Sequence, residues 1–469
     1  MLSSDRRSRV EARTLATCPS GAHKPLMDEN LLNELVGAAI AAGADAAEAA
    51  YAERQSLSVS VRLGDLEEVE REEARDLGLR VFVGKRQASV SGSDISETGR
   101  AKLVERVVAM ARLAPEDPYA GLADRARLAS GPYPDLDLYD DHEPSAEALE
   151  ARAREAEDAA RAVDGVTNSD GGSAGWSTSR WMLATSHGFN GAHRASGFSV
   201  SASAIAGEGL GMERGGEGRS VRHNEDLPDA GWIGSEAGRH AVRRLGARKI
   251  ASQTAPVIFE NRIAMSLLGP FIGAIGGPSI TRGVSFLKDK LNQQVFAKNV
   301  SILDDPYRVR GLGSGPFDDE GVTTEPMALI DEGELTTWLL NTSSARQLGL
   351  ETTGHASRGL AGPPGVGTSN VIVTGGTRDL TGLMGDAKAG LLVTSMFGPS
   401  LNGNTGDWSI GCSGFWFEGG ELAYPVNEIT VAGNLIDIYA RLVPGDDLII
   451  RGSHDSPSLL VDSLAIAGS

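Results

Sequence analysis

Three adjacent carboxylates, Asp318, Asp319 and Glu320, sit in the glycine-rich run GLGSGPFDDEG. Oxygen ligands of this kind suit a hard cation such as Mg²⁺ or Ca²⁺, and a metal held there would make the chain an autonomous hydrolase. Loop hydrogen bonding is the simpler role for them. The run lacks the Lys-Ser/Thr pair of a phosphate-binding loop, and its own charge repels phosphate. The eight histidines, at positions 23, 142, 187, 193, 223, 240, 355 and 454, show no pair at helical ligand spacing, and neither His-Glu-x-x-His nor Cys-x-x-Cys occurs. His187 and His193 lie in a glycine-rich strand-turn stretch that fits a turn better than a metal site. His355 shares the polar loop TTGHASRG with Arg358, a pair suited to a substrate carboxylate or to capping backbone groups. No Gly-x-Ser-x-Gly elbow stands between a strand and a helix, and Cys412 in SIGCSGFWF has no nearby histidine to make it a thiolate. Cys412 therefore reads as a small core residue.

The elements around these residues follow from periodicity. MDENLLNELVGAAIAAG predicts a helix with Leu31, Leu32, Leu35, Val36 and Ile40 on its apolar face, Asp28 or Asn30 as cap and Gly43 as stop. Residues 55–94 alternate in short runs punctuated by glycine, which predicts an antiparallel meander. A second helix runs through Leu103, Val107 and Met110 and stops before Pro115; five prolines between Pro115 and Pro144 mark a connecting region. PSAEALEARAREAEDAARAVDGV predicts a helix capped by Ser145 with a solvated polar face, then come alternating strands and a helix over GSEAGRHAVRRLGAR. Beyond Thr281 short strands dominate, with LIDEGELTTWL and FWFEGGELAYPV as tight hairpins. The reading is α+β: N-terminal helices packed on an antiparallel sheet, followed by a large β-rich C-terminal domain, with a disordered extension over 1–26 and domains over 27–250 and 251–469.

A net charge of −19 with pI near 4.9 opposes binding to nucleic acid, because no basic surplus exists to release counterions. The basic run RHAVRRLGARK is expected to form a solvated helix face. Two cysteines, Cys18 and Cys412, are too few for a disulfide framework and fit a reducing cytoplasm. No apolar run is long enough for a membrane span, and the first 26 residues lack the apolar core of a signal peptide. The 59 glycines, most of them after Gly165, favour closely approached backbone over long helices.

Five stretches together carry a family likeness: VRLGDLEEVEREEARDLGLRVFVGKRQASVS, GVSFLKDKLNQQVF, GLGSGPFDDEGVTTEP, TWLLNTSSARQLGLETTGHA and TGDWSIGCSGFWFEGGELAYPVNEITVAGNL. In this order, over Met27 to Gly468, the chain resembles the TldD/PmbA family, also labelled modulator of DNA gyrase, and within it the PmbA (TldE) branch. The resemblance implies a metallopeptidase built from two paralogous subunits in the bacterial cytoplasm, acting on modified peptide precursors and unfolded proteins. In the TldD branch a His-Glu-x-x-x-His helix gives two zinc ligands and the general base, and a late cysteine gives a third ligand. Matching that motif to LLGPFIGAIGG places the histidines at Gly269 and Ala274 and the glutamate at Pro270; the cysteine would fall near residues 452–454, where none stands. None of these can ligate zinc or take a proton from water. Gly269, Pro270, Gly273 and Ala274 suggest close packing instead, with Ile272 and Ile275 in the core. The resemblance thus implies no catalytic residue and no cofactor in this chain, zinc in a TldD-like partner, and an unfolded peptide bound at strand edges by β-augmentation. Candidates for lining a substrate channel are His355, Arg358, Thr405, Gly406 and Asp407, whereas Trp338 and Trp416 suit the core. No nucleic acid or membrane partner is expected, and the isolated chain could self-associate as a homodimer. The rivals are an autonomous metal-dependent hydrolase using Asp318, Asp319 and Glu320, and a protein-binding modulator of gyrase.

Overall fold

The computed structural model describes residues 29–468. The extension expected over 1–26 and the cap candidate Asp28 lie outside the described residues. Helix α1 (Glu29–Ala41) buries Leu32, Leu35, Val36 and Ala39, while Leu31 is half-buried and Ile40 faces out. Its apolar face is therefore narrower than the spacing predicts. Strands β1 (Ala46–Arg62), β2 (Asp65–Val83) and β3 (Arg86–Gly92) form the expected meander. Residues 65–73 of β2 are exposed and form an edge of the sheet, beyond the stretch that pairs with β3. In α2 (Glu97–Leu113) Ser96 accepts from Gly99 N at 3.1 Å, and Leu103 and Val107 are buried but Met110 is not.

Ser145 caps α3 (Ala146–Arg161) by accepting from Ala148 N, as its sequence predicts. One carboxylate of this helix is not solvated: Glu157 is fully buried and accepts from Leu63 N (2.7 Å) and Gly64 N (2.9 Å), fixing the turn between β1 and β2. Strands β4 (Val166–Thr185), β5 (Asn190–Ala206) and β6 (Glu213–Val221) complete a six-stranded sheet of order β3-β2-β1-β4-β5-β6. Helix α4 (Ala230–Val242) starts earlier than expected because Asp229 caps it, accepting from Trp232 N at 2.8 Å. Part of the glycine excess is explained here. A Cβ on Gly234 would stand 1.9 Å from Ala156 O, and one on Gly215 would stand 2.1 Å from Ala241 N. Only glycine lets α3, α4 and β6 approach so closely.

The C-terminal region closes on itself. Strand β7 (Gln253–Phe259) lies parallel to β8 (Ala389–Leu401), which pairs with β9 (Asp407–Glu418); β9 pairs with β10 (Glu421–Asn434), and β11 (Leu459–Ala467) bonds to both β7 and β10. That closure makes a barrel and removes its open edges. Both expected hairpins occur, with Glu332-Gly333 and Gly419-Gly420 at positive φ in the turns. A small second sheet brings together residues 301–304, 327–331, 334–335, 371–374 and 454–455. Trp338, Trp416 and Cys412 lie in the C-terminal core, and burial pushes the Cys412 thiol up to about 12. Among the described residues no helix is long and apolar enough to cross a membrane.

Candidate functional site

Strand β7 delivers the chain to a turn at Glu260 and then to α5 (Met265–Ala274), the helix of the degenerate motif. Leu267, Leu268 and Phe271 anchor one face of α5 in the core, and Phe271 meets Phe296 edge-on at 5.1 Å. The expectation of close packing fails at two positions. Gly269 and Gly273 are exposed, and a Cβ on either would meet nothing within 4 Å. Ala274 is buried, Pro270 sits inside the helix, and Ile272 is half-buried beside fully buried Ile275. This helix therefore presents a small-residue face outward. Zinc does not fit it, because no side chain at 269, 270 or 274 carries a donor atom.

Glu260, the carboxylate at the start of this segment, joins the two regions. Arg262 Nη2 lies 2.8 Å and Arg243 Nη2 lies 3.1 Å from its carboxylate. Burial opposes its ionisation, but the two guanidinia outweigh burial and hold its pKa below the ordinary value. Arg244 donates to Thr394 O and to Arg214 O. The basic run is thus not the solvated face its charges suggest: it fastens α4 to the barrel.

A second junction lies deeper. The Arg358 side chain has no exposure and donates to Glu48 of β1, which Arg80 Nη1 also reaches at 3.1 Å. Arg358 N donates to Asp319. His355 bridges Thr353 Oγ1 (2.8 Å) and Asp304 Oδ2 (3.2 Å) in a buried position. The neighbouring carboxylates accept backbone N–H groups: Asp318 takes those of Glu320, Val322 and Ala356, and Glu320 takes that of Thr342. Burial, with Glu320 nearby, pushes Asp318 well above the ordinary carboxylate range. Among the described residues no group of three or more His, Cys, Asp or Glu side chains is arranged to hold a metal ion. His187 bonds Thr185 Oγ1 and Ala123 O, while His193 packs on Phe317, and burial lowers it to about 4.

Thr405, Gly406 and Asp407 are brought together, but apart from His355 and Arg358. They form the turn from β8 into β9, with Thr405 Oγ1 donating to Asp407 and Asn434 Nδ2 to both Thr405 O and Asp407. Thr405 and Asp407 are exposed, and Gly406 has φ of 82°.

Near these junctions lies a cavity of about 590 Å³, where Ser60, Ser173, Ser201 and Ser203 of the sheet face Arg262 and Arg451 of the C-terminal region. Short hydroxyls and glycines keep the sheet face open. The nearby edge of β6 is not free for an added strand. Arg244 donates to Arg214 O, Arg219 to Gly218 O, and His240 Nδ1 lies 3.0 Å from Gly216 O. Arg219 and Arg451 line both this cavity and its neighbour. Isolated arginines this far apart in sequence carry no local signal, and only the fold brings them together.

Comparison with known proteins adds the ancestry. Residues 252–468 match the profile of the PmbA/TldA metallopeptidase C-terminal domain, residues 139–245 its central domain and residues 47–111 its domain 1. The chain is 38% identical over 443 residues to the metalloprotease PmbA of Escherichia coli O157:H7, covering 93% of this chain and 96% of that protein. It is 36% identical to a Haemophilus influenzae homologue, covering 91% and 93%. A Bacteroides thetaiotaomicron protein, proposed as a modulator of DNA gyrase, superposes with TM-score 0.87 at 27% identity, covering 94% of this chain and 99% of that one. TldE of Thermococcus kodakarensis shares the fold, with TM-score 0.83 at 20% identity and the same coverage.

Proposed function

The chain belongs to the PmbA/TldD metallopeptidase family, and from that premise we propose that it is the non-catalytic subunit of a heteromeric peptidase. The TldD-like paralogous partner holds the zinc, and this chain completes an enclosed space for an unfolded peptide, within the cytoplasm. One observation carries the reading: α5 keeps its place in the core through Leu267, Leu268 and Phe271, while Gly269, Pro270 and Ala274 supply no ligand and no base. The open face of Gly269 and Gly273 lets another backbone approach at that helix.

Reconstitution tests it. The purified chain without a metal-binding tag should contain far less than one zinc per chain by elemental analysis and should cleave no unfolded peptide, while its mixture with the TldD-like partner should do so. Stoichiometric zinc in this chain, or full activity of the partner alone, would sink the proposal. Sedimentation of the chain alone and mixed distinguishes a self-associating homodimer from the expected heteromer.

A further inference from the structure

Arg219, Arg222, Arg308, Arg310 and Arg451 line a cavity of about 390 Å³ where the end of β6 meets two C-terminal loops, and Asp226 is the one acid on its wall. Such a concentration stands out in a chain of net charge −19. The five guanidinia are held very differently. Arg310 is neutralised by Asp137, Glu225 and Asp226, and Arg219 by Glu217. Arg222 donates to the carbonyls of Ser196, Gly311 and Leu312, which satisfy its N–H groups without cancelling its charge. Arg308 Nη2 bonds Asn370 and Gly452 O, but its Nη1 is buried without a hydrogen-bond partner, 3.9 Å from Asp455. Arg451 is the loosest of the five. Its Nη1 reaches Ile449 O only at 3.5 Å and its Nε is buried and unpartnered.

Buried donors without acceptors raise the energy of the empty cleft, and carbonyls satisfy Arg222 without offsetting its charge. Burial, and then the neighbouring Arg219, lowers the proton affinity of Arg451. An anion in the cleft beside Arg308 and Arg451 adds the counter-charge that Arg451 does not receive from a direct ion pair, and a planar carboxylate matches a guanidinium fork in two parallel bonds. The rim selects among anions. Val309 (61% exposed), Ile450 (51%) and Trp232 (41%) flank the opening, so the ligand carries apolar surface beside its charge. Bare phosphate offers no such surface.

We propose that this cleft binds a carboxylate of an unfolded peptide, with an aliphatic side chain next to that carboxylate resting on Val309 and Ile450. It would hold one end of the peptide while the partner subunit works on another part. The inference rests on the peptide-handling role proposed above.

The test is calorimetric titration of the isolated full chain with three hexapeptides. The first ends in leucine with a free carboxylate and has no acidic side chain; the second is its C-terminal amide; the third is that amide with a glutamate at position five. The first should bind, and amidation should weaken binding about tenfold or more, the range expected for losing a charged hydrogen-bonded pair. Recovery with the third peptide assigns the site to a side-chain carboxylate, and no recovery assigns it to the α-carboxylate. R451Q should weaken the first peptide about tenfold, with R451K partly restoring it and the melting temperature unchanged in both. Equal binding of the first two peptides, unchanged affinity in both R451Q and R308Q, or no binding of any peptide would overturn the proposal. Because the isolated chain is titrated, failure to reconstitute activity with a partner does not alter this result.

Discussion

Beneath the six-stranded sheet the apolar core is divided. One patch lies under α1 and α2, a second between α3 and α4 around Ala156, Ala160 and Ala237, and a third around Leu57, Leu149 and Trp176. The barrel region instead gathers most of its apolar side chains in one large core beside a smaller patch around Ile258, Leu383 and Phe417; in the large core Phe296 meets Phe271 edge-on and stacks on Tyr439 at 4.6 Å, with Tyr439 Oη donating to Leu267 O. Between α3 and α4 the contact rests on close backbone approach through alanine and glycine, whereas around α5 it rests on large interlocking side chains. That contrast bears on α5, which holds its position without a metal-ligating side chain at 269, 270 or 274: aromatic packing fixes the element.

The largest effect should therefore come from Phe271→Ala. Removing a fully buried ring from the α5 contact should cost about 3–5 kcal/mol, read as a lower urea midpoint. A loss below about 1 kcal/mol would mean that the barrel repacks as readily as a loose surface element, and the contrast would fail. The second effect belongs to the sheet region. Gly234→Ala puts a methyl 1.9 Å from Ala156 O, so α3 and α4 must separate, at about 1–3 kcal/mol. An unchanged melting temperature would show that this crossing is not set by backbone proximity.

How much of this could be read in advance divides along the same line. The helix caps Ser96 and Ser145, the meander of β1 to β3 and the two glycine hairpins follow from local chemistry that acts within a few residues. What escaped is long-range. Glu157 belongs to a helix with an ordinary polar face, yet it caps a turn more than ninety residues earlier in the chain. Arg243 and Arg244 look like part of a solvated basic run until Glu260 and Thr394 are brought beneath them. At the candidate site the missing donors of α5 are visible in sequence. The arginine cleft is not, because its members come from the end of β6 and the residue after it, from the loop at 308–312 and from the loop at 449–452.

Glycine plays opposite parts in α4 and α5. At Gly273 on α5 the space beyond the Cα is empty, so Gly273→Ala relieves the entropic penalty of glycine in a helix without a clash and should stabilise the isolated chain by about 0.4–1 kcal/mol. Gly234→Ala and Gly273→Ala thus have opposite expected signs although both glycines lie in helices. If the proposed partner seats its backbone on α5, the same Gly273→Ala chain should be more stable alone and weaker in forming the heteromer, as measured by sedimentation of the mixture. Association at full strength would move the partner's footprint away from this helix.

The smallest effect lies where the two regions meet. Glu320 is buried and accepts from Thr342 N, and burial, the foremost cause, raises its pKa above the ordinary value; the nearby Glu48 acts in the same direction. A carboxyl whose folded pKa exceeds its unfolded one binds its proton more tightly when folded. Its contribution to stability is therefore fully present below the unfolded value and is lost as pH rises through the folded one. Glu320→Gln keeps an oxygen for Thr342 N and has no proton to lose, so it should melt slightly higher than the parent at neutral pH. That advantage should fade below about pH 4, where the parent carboxyl is protonated in both states. A lower melting temperature for the variant at neutral pH would mean that an ionised Glu320 is stabilised by the neighbouring Arg80, and that this junction is held by charge instead of by the hydrogen bond.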